Sequence, residues 1–269
     1  MGRGVAAAAA LMICVVATLS AASAQRPTQS RQLDDMRSAL DARSMVPSDS
    51  LDPHEFYFTR AVYGGRRSWG RGSWAVDFPK ADRQFVFGLR RLTGIDASES
   101  ENPVLLTDPE LSGFPFLYAL EVGYMSMGEE EVAALRRYLL AGGFLFIDDF
   151  WGTWEWRNFE YEISRVLPEY RIVELPMDHP VFHTFYDIDQ ILQVPSVRIV
   201  RGGPTWEQDG YVPYVRGIFD DDDRLLVIIN WNTDLGDAWE WVDNPYYPIK
   251  FSNFAYQLAV NTILYAMSH

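Results

Sequence analysis

Gly142-Gly143-Phe144-Leu145-Phe146-Ile147-Asp148-Asp149-Phe150 is the stretch on which the fold turns. Four apolar residues between a glycine pair and an acidic pair describe a short strand buried on both faces, the kind that lies inside a parallel sheet. Immediately upstream, Ser126-Met127-Gly128-Glu129 fits a capping box, with Val132, Leu135 and Leu139 as the apolar stripe of the helix it opens. Gly142-Gly143 stops that helix, because glycine accepts the left-handed conformation at a helix end. Helix, glycine stop and buried strand together make the second half of a strand–helix–strand unit.

The pattern repeats outward in both directions. Toward the N-terminus, Phe116 to Leu120 and Pro103 to Leu106 read as short buried strands. Pro79 suits the first turn of a helix that carries Phe85, Val86, Leu89 and Leu92 on one face. Phe56, Phe58 and Ala61-Val62-Tyr63 suggest a first strand running into Gly64-Gly65-Arg66-Arg67. Toward the C-terminus, Phe159, Ile163 and Val166 mark a helix closed by Pro168. Strands are expected at Arg171 to Leu175, Val197 to Val200, Val215 to Phe219 and Leu225 to Ile229, the last two joined by the hairpin loop Asp220 to Asp223. Ser252 is the expected cap of a final helix through Met267, with Phe254, Leu258 and Tyr265 on one side. Strands alternating with helices predict an α/β sandwich with a mostly parallel sheet.

Before this domain lie two segments of different character. Arg3, the apolar run Val5 to Leu19 and the small-x-small site Ala22-Ser23-Ala24 have the layout of a secretory signal peptide over residues 1–24. The run is shorter than the ~20 residues that span a bilayer, so no permanent membrane span is expected after cleavage. Residues 25–53 are polar and close on Pro47, Ser48, Ser50 and Pro53, an N-terminal arm or linker. A single domain is expected over 54–269, in an exported protein that is periplasmic or secreted. Cleavage removes Cys14, the only cysteine, which leaves the mature chain cysteine-free and excludes disulfides, cysteine-ligated metals and cysteine nucleophiles. A net charge of −14 argues against nucleic acid as a partner, since binding it needs a basic field.

In an open parallel sheet, ligands gather outside the carboxyl ends of the strands. Asp148 and Asp149 follow an apolar strand directly, and Arg60 and Tyr63 reach the same rim from the first strand. Six of the nine tryptophans fall in two stretches next to strand ends. The first, Phe150 to Trp156, brings Trp151, Trp154 and Glu155. The second, Asn230 to Trp241, brings Asn230, Asn232, Asp234, Asp237 and Trp239. As a binding cleft, tryptophan faces stack on sugar rings or other flat apolar surfaces while acids and amides bond hydroxyls. As an enzyme, Asp148, Asp149 and Glu155 are the candidate acid and base of a glycoside hydrolysis, or the holders of a hard cation such as Ca²⁺ or Mg²⁺. Alternatively the tryptophans pack the loops onto the sheet and the acids cap helices.

Weaker candidates remain. Asp178, His179 and His183 have a spacing that can make a His-His-carboxylate metal site, with Pro180 opening a helix between the histidines; the alternative is a loop in which Asp178 caps a turn and His183 bonds backbone. Gly70-Arg71-Gly72-Ser73-Trp74-Ala75 formally fits a dinucleotide fingerprint, but no apolar strand precedes it. Asn230, Asn232 and Asp234 alternate as in calcium loops, yet the twelfth residue is Trp241 rather than Glu.

Several phrases resemble a bacterial family of exported proteins with a domain of unknown function: Phe58-Thr59-Arg60-Ala61-Val62-Tyr63, Pro115-Phe116-Leu117-Tyr118, the Gly142–Phe150 stretch, Asp178-His179-Pro180-Val181-Phe182, and Asn232 through Glu240. The resemblance spans about residues 54 to 268. It implies a flavodoxin-like, three-layer α/β/α fold akin to class I glutamine amidotransferases and trehalose-utilisation proteins, and it carries no established activity. In amidotransferases of that fold a cysteine sits on a strained strand-to-helix turn; here the best-matching strand, Phe144–Ile147, ends in Asp148-Asp149 and no cysteine follows. Cysteine-dependent glutaminase chemistry is therefore excluded. The expectation is a non-catalytic ligand-binding or interaction domain of the cell envelope, taking a small molecule, a glycan or an envelope protein, with no cofactor required beyond a divalent cation as an option. Its rivals are a metal- or carboxylate-dependent hydrolase of glycans or cell-wall fragments, and a structural subunit of an envelope assembly.

Overall fold

The computed structural model describes residues 53–64 and 73–269. The expected signal peptide, nearly all of the arm, Gly65 to Arg67 and Gly70 to Gly72 lie outside the described residues. In chain order the elements are β1 (Thr59–Val62), α1 (Lys80–Thr93), β2 (Asn102–Leu105), β3 (Phe116–Leu120), α2 (Glu129–Leu140), β4 (Phe144–Asp148), α3 (Gly152–Val166), β5 (Ile172–Glu174), β6 (Tyr214–Phe219), β7 (Leu225–Trp231), α4 (Leu235–Glu240) and α5 (Ile249–Ser268).

Seven strands form one sheet in the order β2-β1-β3-β4-β7-β6-β5. β1 pairs in parallel with β2 and β3, β3 with β4, and β4 with β7. β6 runs antiparallel to both of its neighbours. The hairpin from β6 to β7 forces that reversal, and Asp220 shapes its tip by accepting the backbone N–H groups of Asp222 and Arg224. The result is an α/β sandwich on a mostly parallel sheet, and the central strands β3, β4 and most of β7 are buried throughout.

Alternation along β4 divides the interior. Phe144 and Phe146 join a core with Phe58, Phe116 and Ile228 of the sheet and with Phe85 and Leu89 of α1, Trp239 of α4, and Ala255 and Leu258 of α5. Leu145 and Ile147 face the other way and are equally buried. Helices α2 and α3, which touch each other, contribute a separate buried set that includes Leu135, Leu139, Phe159 and Ile163.

Four local readings change on inspection. α2 is capped not by Ser126 but from Gly128, where the Glu131 carboxylate accepts the Gly128 N–H at 2.8 Å and the Gly64 N–H at 2.8 Å. Glu131 thereby ties the chain beyond β1 to the helix start, a long-range role that a four-residue motif does not reveal. Residues 197–200 belong to a 3-10 helix, Val197–Arg201, because the Asp237 carboxylate accepts the Val197 N–H and draws the backbone away from any sheet edge. Ser252 lies inside α5, which starts at Ile249, and its hydroxyl donates to the Ala238 carbonyl instead of capping. The aromatic stretch after β4 is helical from Gly152 onward, so Trp154 and Glu155 sit in the first turns of α3.

Candidate functional site

Because β1, β3, β4 and β7 are adjacent and parallel, their carboxyl ends share one edge of the sheet. The chain leaves β1 toward β2 on one side and returns to β3 on the other, which makes the β1–β3 boundary the switch point where open α/β sheets hold ligands. Three strands are followed at once by a non-glycine residue in the left-handed region: Glu121 after β3 (φ 53°), Asp149 after β4 (φ 45°) and Asn232 after β7 (φ 61°). A fourth, Asp77 (φ 60°), lies in the segment between β1 and α1. Such residues are uncommon outside Asn and Asp and concentrate at functional edges. Backbone bonds stitch these ends together: the Glu121 N–H donates to the Asp149 carbonyl, and the Asn232 N–H to the Phe150 carbonyl.

The rim is acidic and converging. Carboxylate oxygens of Asp77, Asp149 and Asp234 lie within 4.8 Å of one another, and so do those of Asp77, Asp237 and Glu240. Asp77 belongs to both groups. It is half-buried as a residue, yet its Oδ2 is sealed from solvent and has no hydrogen-bond partner. The oxygen points toward the start of α4, where a Cβ on Gly236 would stand 2.6 Å from it; only glycine leaves room there. Loss of water and mutual repulsion push Asp77, Asp149 and Asp234 well above the usual carboxylate range. Burial, reinforced by Asp237, lifts Glu240 to about 7.

Around this centre the sequence-derived candidates divide. Asp149, Asp234 and Asp237 are in the acidic group. Asp148 is next to it but is occupied: its carboxylate accepts the Tyr118 hydroxyl and the N–H groups of Leu235 and Gly236 at 2.9–3.1 Å, which pins the start of α4 to β4. Burial raises Asp148 to about 6, and those three donors hold it from going higher. Arg60 is fully buried and grips Asp82, while also donating to the Trp74 and Val76 carbonyls at 3.0 and 2.9 Å. It therefore shapes the segment that carries Asp77 and has no donor directed at a ligand. The Tyr63 hydroxyl donates to the Leu120 carbonyl. Glu155 accepts the Trp151 N–H and a Gln208 amide, and Asn232 clamps Gly152 and Val212.

The two tryptophan stretches do meet, chiefly through packing. Trp156 and Trp231 lie 4.7 Å apart, with the Arg216 guanidinium over both rings. Trp151 is buried and donates its ring N–H to Asp149; Trp239 is fully buried among Phe58, Phe85 and Tyr118. Only Trp154 of these is widely exposed, resting beside Tyr124. Asn230 sits within β7, donating to the Ile147 carbonyl and leaving its Oδ1 buried without a partner. His179, Asp178 and His183 stand apart from the rim. His183 bonds the Met177 carbonyl and Asp187, as the loop alternative has it for the backbone bond, but the cap of the short Pro180–Phe182 3-10 helix is His179, which accepts the Val181 N–H, and not Asp178.

Sequence reading missed Asp77, Glu121 and Glu240. The signal for Glu121 was the one used for Asp148, an acid directly after an apolar strand. Asp77, five residues beyond the nearest glycine and ahead of Phe78-Pro79, carries no comparable mark. Among the described residues, no helix is long and apolar enough to cross a membrane.

The sheet and its rim thus define an α/β protein with a carboxylate-lined edge at the ends of its parallel strands. The chain belongs to the family described as Domain of unknown function (DUF4159), whose model matches residues 58–267. No curated protein matches it.

Proposed function

We propose that this is an exported, non-catalytic ligand-binding domain of the cell envelope, built on a flavodoxin-like sandwich akin to that of class I glutamine amidotransferases, with its site at the acidic rim. The strand order β2-β1-β3-β4-β7 supports that fold reading, since it follows the 2-1-3-4-5 order of flavodoxin-type sheets. The layout of residues 1–24 supports export. One observation carries the functional reading: Asp77 converges with Asp149 and Asp234 at the carboxyl-end edge of the parallel strands, with a buried oxygen left to be satisfied.

Binding is favoured over carboxylate-driven hydrolysis by the electrostatics. A glycosidase needs one carboxyl group held protonated and its partner held ionised. Here burial raises Asp77, Asp149, Asp234, Asp237 and Glu240 alike, so the environment does not single out one of them as the acid and another as the base. An acidic edge suits a ligand rich in hydroxyl or cationic groups, such as an amino-sugar or cell-wall fragment. Thermal melting of the protein against such fragments tests this. A fragment should raise the midpoint in the native chain and not in Asp149→Asn. A shift that survives in Asp149→Asn moves the site away from the rim.

A further inference from the structure

The acidic rim holds more negative charge than its neighbours neutralise. Arg60 is committed to Asp82 and to two carbonyls, and Lys80 pairs with Asp243 at 2.9 Å. Asp237 is satisfied internally, its two oxygens accepting the Trp241 ring N–H and the Val197 N–H. Glu240 is bonded to Asp237 and Trp241. The remaining group is Asp77, Asp149 and Asp234, brought from the segments that follow three different strands. Asp149 accepts one bond from Trp151, Asp234 accepts one from the Asp237 N–H, and Oδ2 of Asp77 accepts none while shut away from water. A buried carboxylate oxygen without a donor is costly unless something positive completes it. Among the described residues no donor bonds it, and Gly236 approaches so closely that a Cβ there would stand 2.6 Å from this oxygen and 3.7 Å from an Asp234 oxygen.

We infer that Asp77, Asp149 and Asp234 form a binding site for a hard divalent cation of the Ca²⁺ or Mg²⁺ class. The donor set is entirely carboxylate oxygen, which suits hard cations and not zinc, whose sites draw on nitrogen and sulfur. Opposite oxygens around Ca²⁺ stand about 4.6–5.2 Å apart at its usual bond lengths, so three oxygens within 4.8 Å of one another can share one ion. The site draws each ligand from a different loop: the segment after β1, the turn after β4 and the turn after β7. Binding would therefore fasten the three segments of the rim to one another, and the ion would present its remaining coordination positions to an oxygen-rich ligand. The inference rests on the rim being the ligand site, and it names an inorganic component of that site.

The test uses the full chain after chelator treatment, melted at neutral pH with CaCl₂, MgCl₂ or ZnCl₂. Ca²⁺ or Mg²⁺ at a hundredfold excess over its dissociation constant should raise the midpoint by roughly 5–10 °C. Asp77→Asn should weaken the cation at least tenfold while melting, without cation, no lower than the native chain, because it removes one of the repelling charges. Asp234→Asn is the second variant. Asn still caps α4, so loss of the cation response there cannot be ascribed to a lost cap. Absence of a shift with Ca²⁺ and Mg²⁺ overturns the inference, as does an undiminished shift in both variants. If cations fail while a cell-wall fragment still shifts the native chain and not Asp149→Asn, only the cation site is lost and the rim stands. If that fragment shifts Asp149→Asn equally, the rim reading itself falls.

Discussion

Arg60 offers the sharpest check on how this rim is built. The side chain is fully buried, its guanidinium bonding both oxygens of Asp82, the carbonyls of Trp74 and Val76, and lying 5.0 Å over the Tyr118 ring. Replacing it with methionine keeps much of the volume but leaves the Asp82 carboxylate in the core without a counter-charge. Breaking one side of a buried pair costs ~3–5 kcal/mol, and for a domain of this size each kcal/mol lowers the midpoint by roughly 2–4 °C. Urea denaturation of Arg60→Met should therefore show a loss of at least that size. Arg60→Met/Asp82→Leu removes the stranded charge as well and should recover the part of the loss owed to it, because apolar replacement of a buried pair is often neutral. Recovery will be incomplete, since the Trp74 and Val76 carbonyls each lose a donor at ~1–3 kcal/mol. Both carbonyls belong to the stretch leading into Asp77, so the double variant should fold yet respond poorly to cation. If Arg60→Met is within about 1 kcal/mol of the native chain, or if the two substitutions add without coupling, the account of Arg60 as the anchor of the Asp77 segment is wrong.

Further expectations follow from the same geometry. Asp148 and the rim acids have folded-state pKa values above their unfolded ones, so their contribution is fully present below about pH 4 and is lost as pH rises through their folded values. For Asp148, raised from 3.8 to about 6, that loss is ~3 kcal/mol. The cation-free protein should accordingly melt higher at pH 5 than at pH 7.5, and a midpoint that climbs with pH across this window would contradict the burial assigned to these groups. Asp148→Ala orphans the Tyr118 hydroxyl and two backbone N–H groups at the start of α4 and should cost ~3 kcal/mol or more, measurable by chemical denaturation. Gly236→Ala places a methyl 2.6 Å from Asp77 Oδ2 and 3.0 Å from the Tyr118 hydroxyl, with an expected cost of ~1–3 kcal/mol; a melt unchanged from native would show that the rim has slack there. Glu131→Ala cuts two ties at once, to Gly128 and Gly64, and should lower stability by about 1 kcal/mol without altering cation response.

Element type was legible wherever a local pattern was strong. The Phe144–Ile147 run, the helical stripe before it and the Asp220–Asp223 hairpin appear where periodicity and turn chemistry put them. The failures have a shared cause. At Val197, Ser252 and Ser126, a partner distant in sequence supplies or removes a hydrogen bond: Asp237 for Val197, Ala238 for Ser252, and Gly64 for the start of α2. The tryptophans tell the same story. Their clustering beside strand ends was visible, but Trp151 and Trp239 turn inward and Trp156 and Trp231 pack against each other at a tilt, because a large ring at a sheet edge gains more from burial than from waiting for a ligand.

Taken alone, the amino-acid order determined that an α/β sandwich forms and that Asp149, Asp234 and Asp237 stand at strand or helix boundaries, because short-range periodicity and backbone preference act within a few residues. Only the assembled sheet decided which acids share a site. It consigned Arg60, Asp148 and Glu155 to internal bonds and brought Asp77 from the segment after β1 against Asp149 and Asp234, residues 72 and 157 positions further along the chain. Strand order sets that meeting, and strand order depends on which buried faces pack together rather than on any single stretch of the chain.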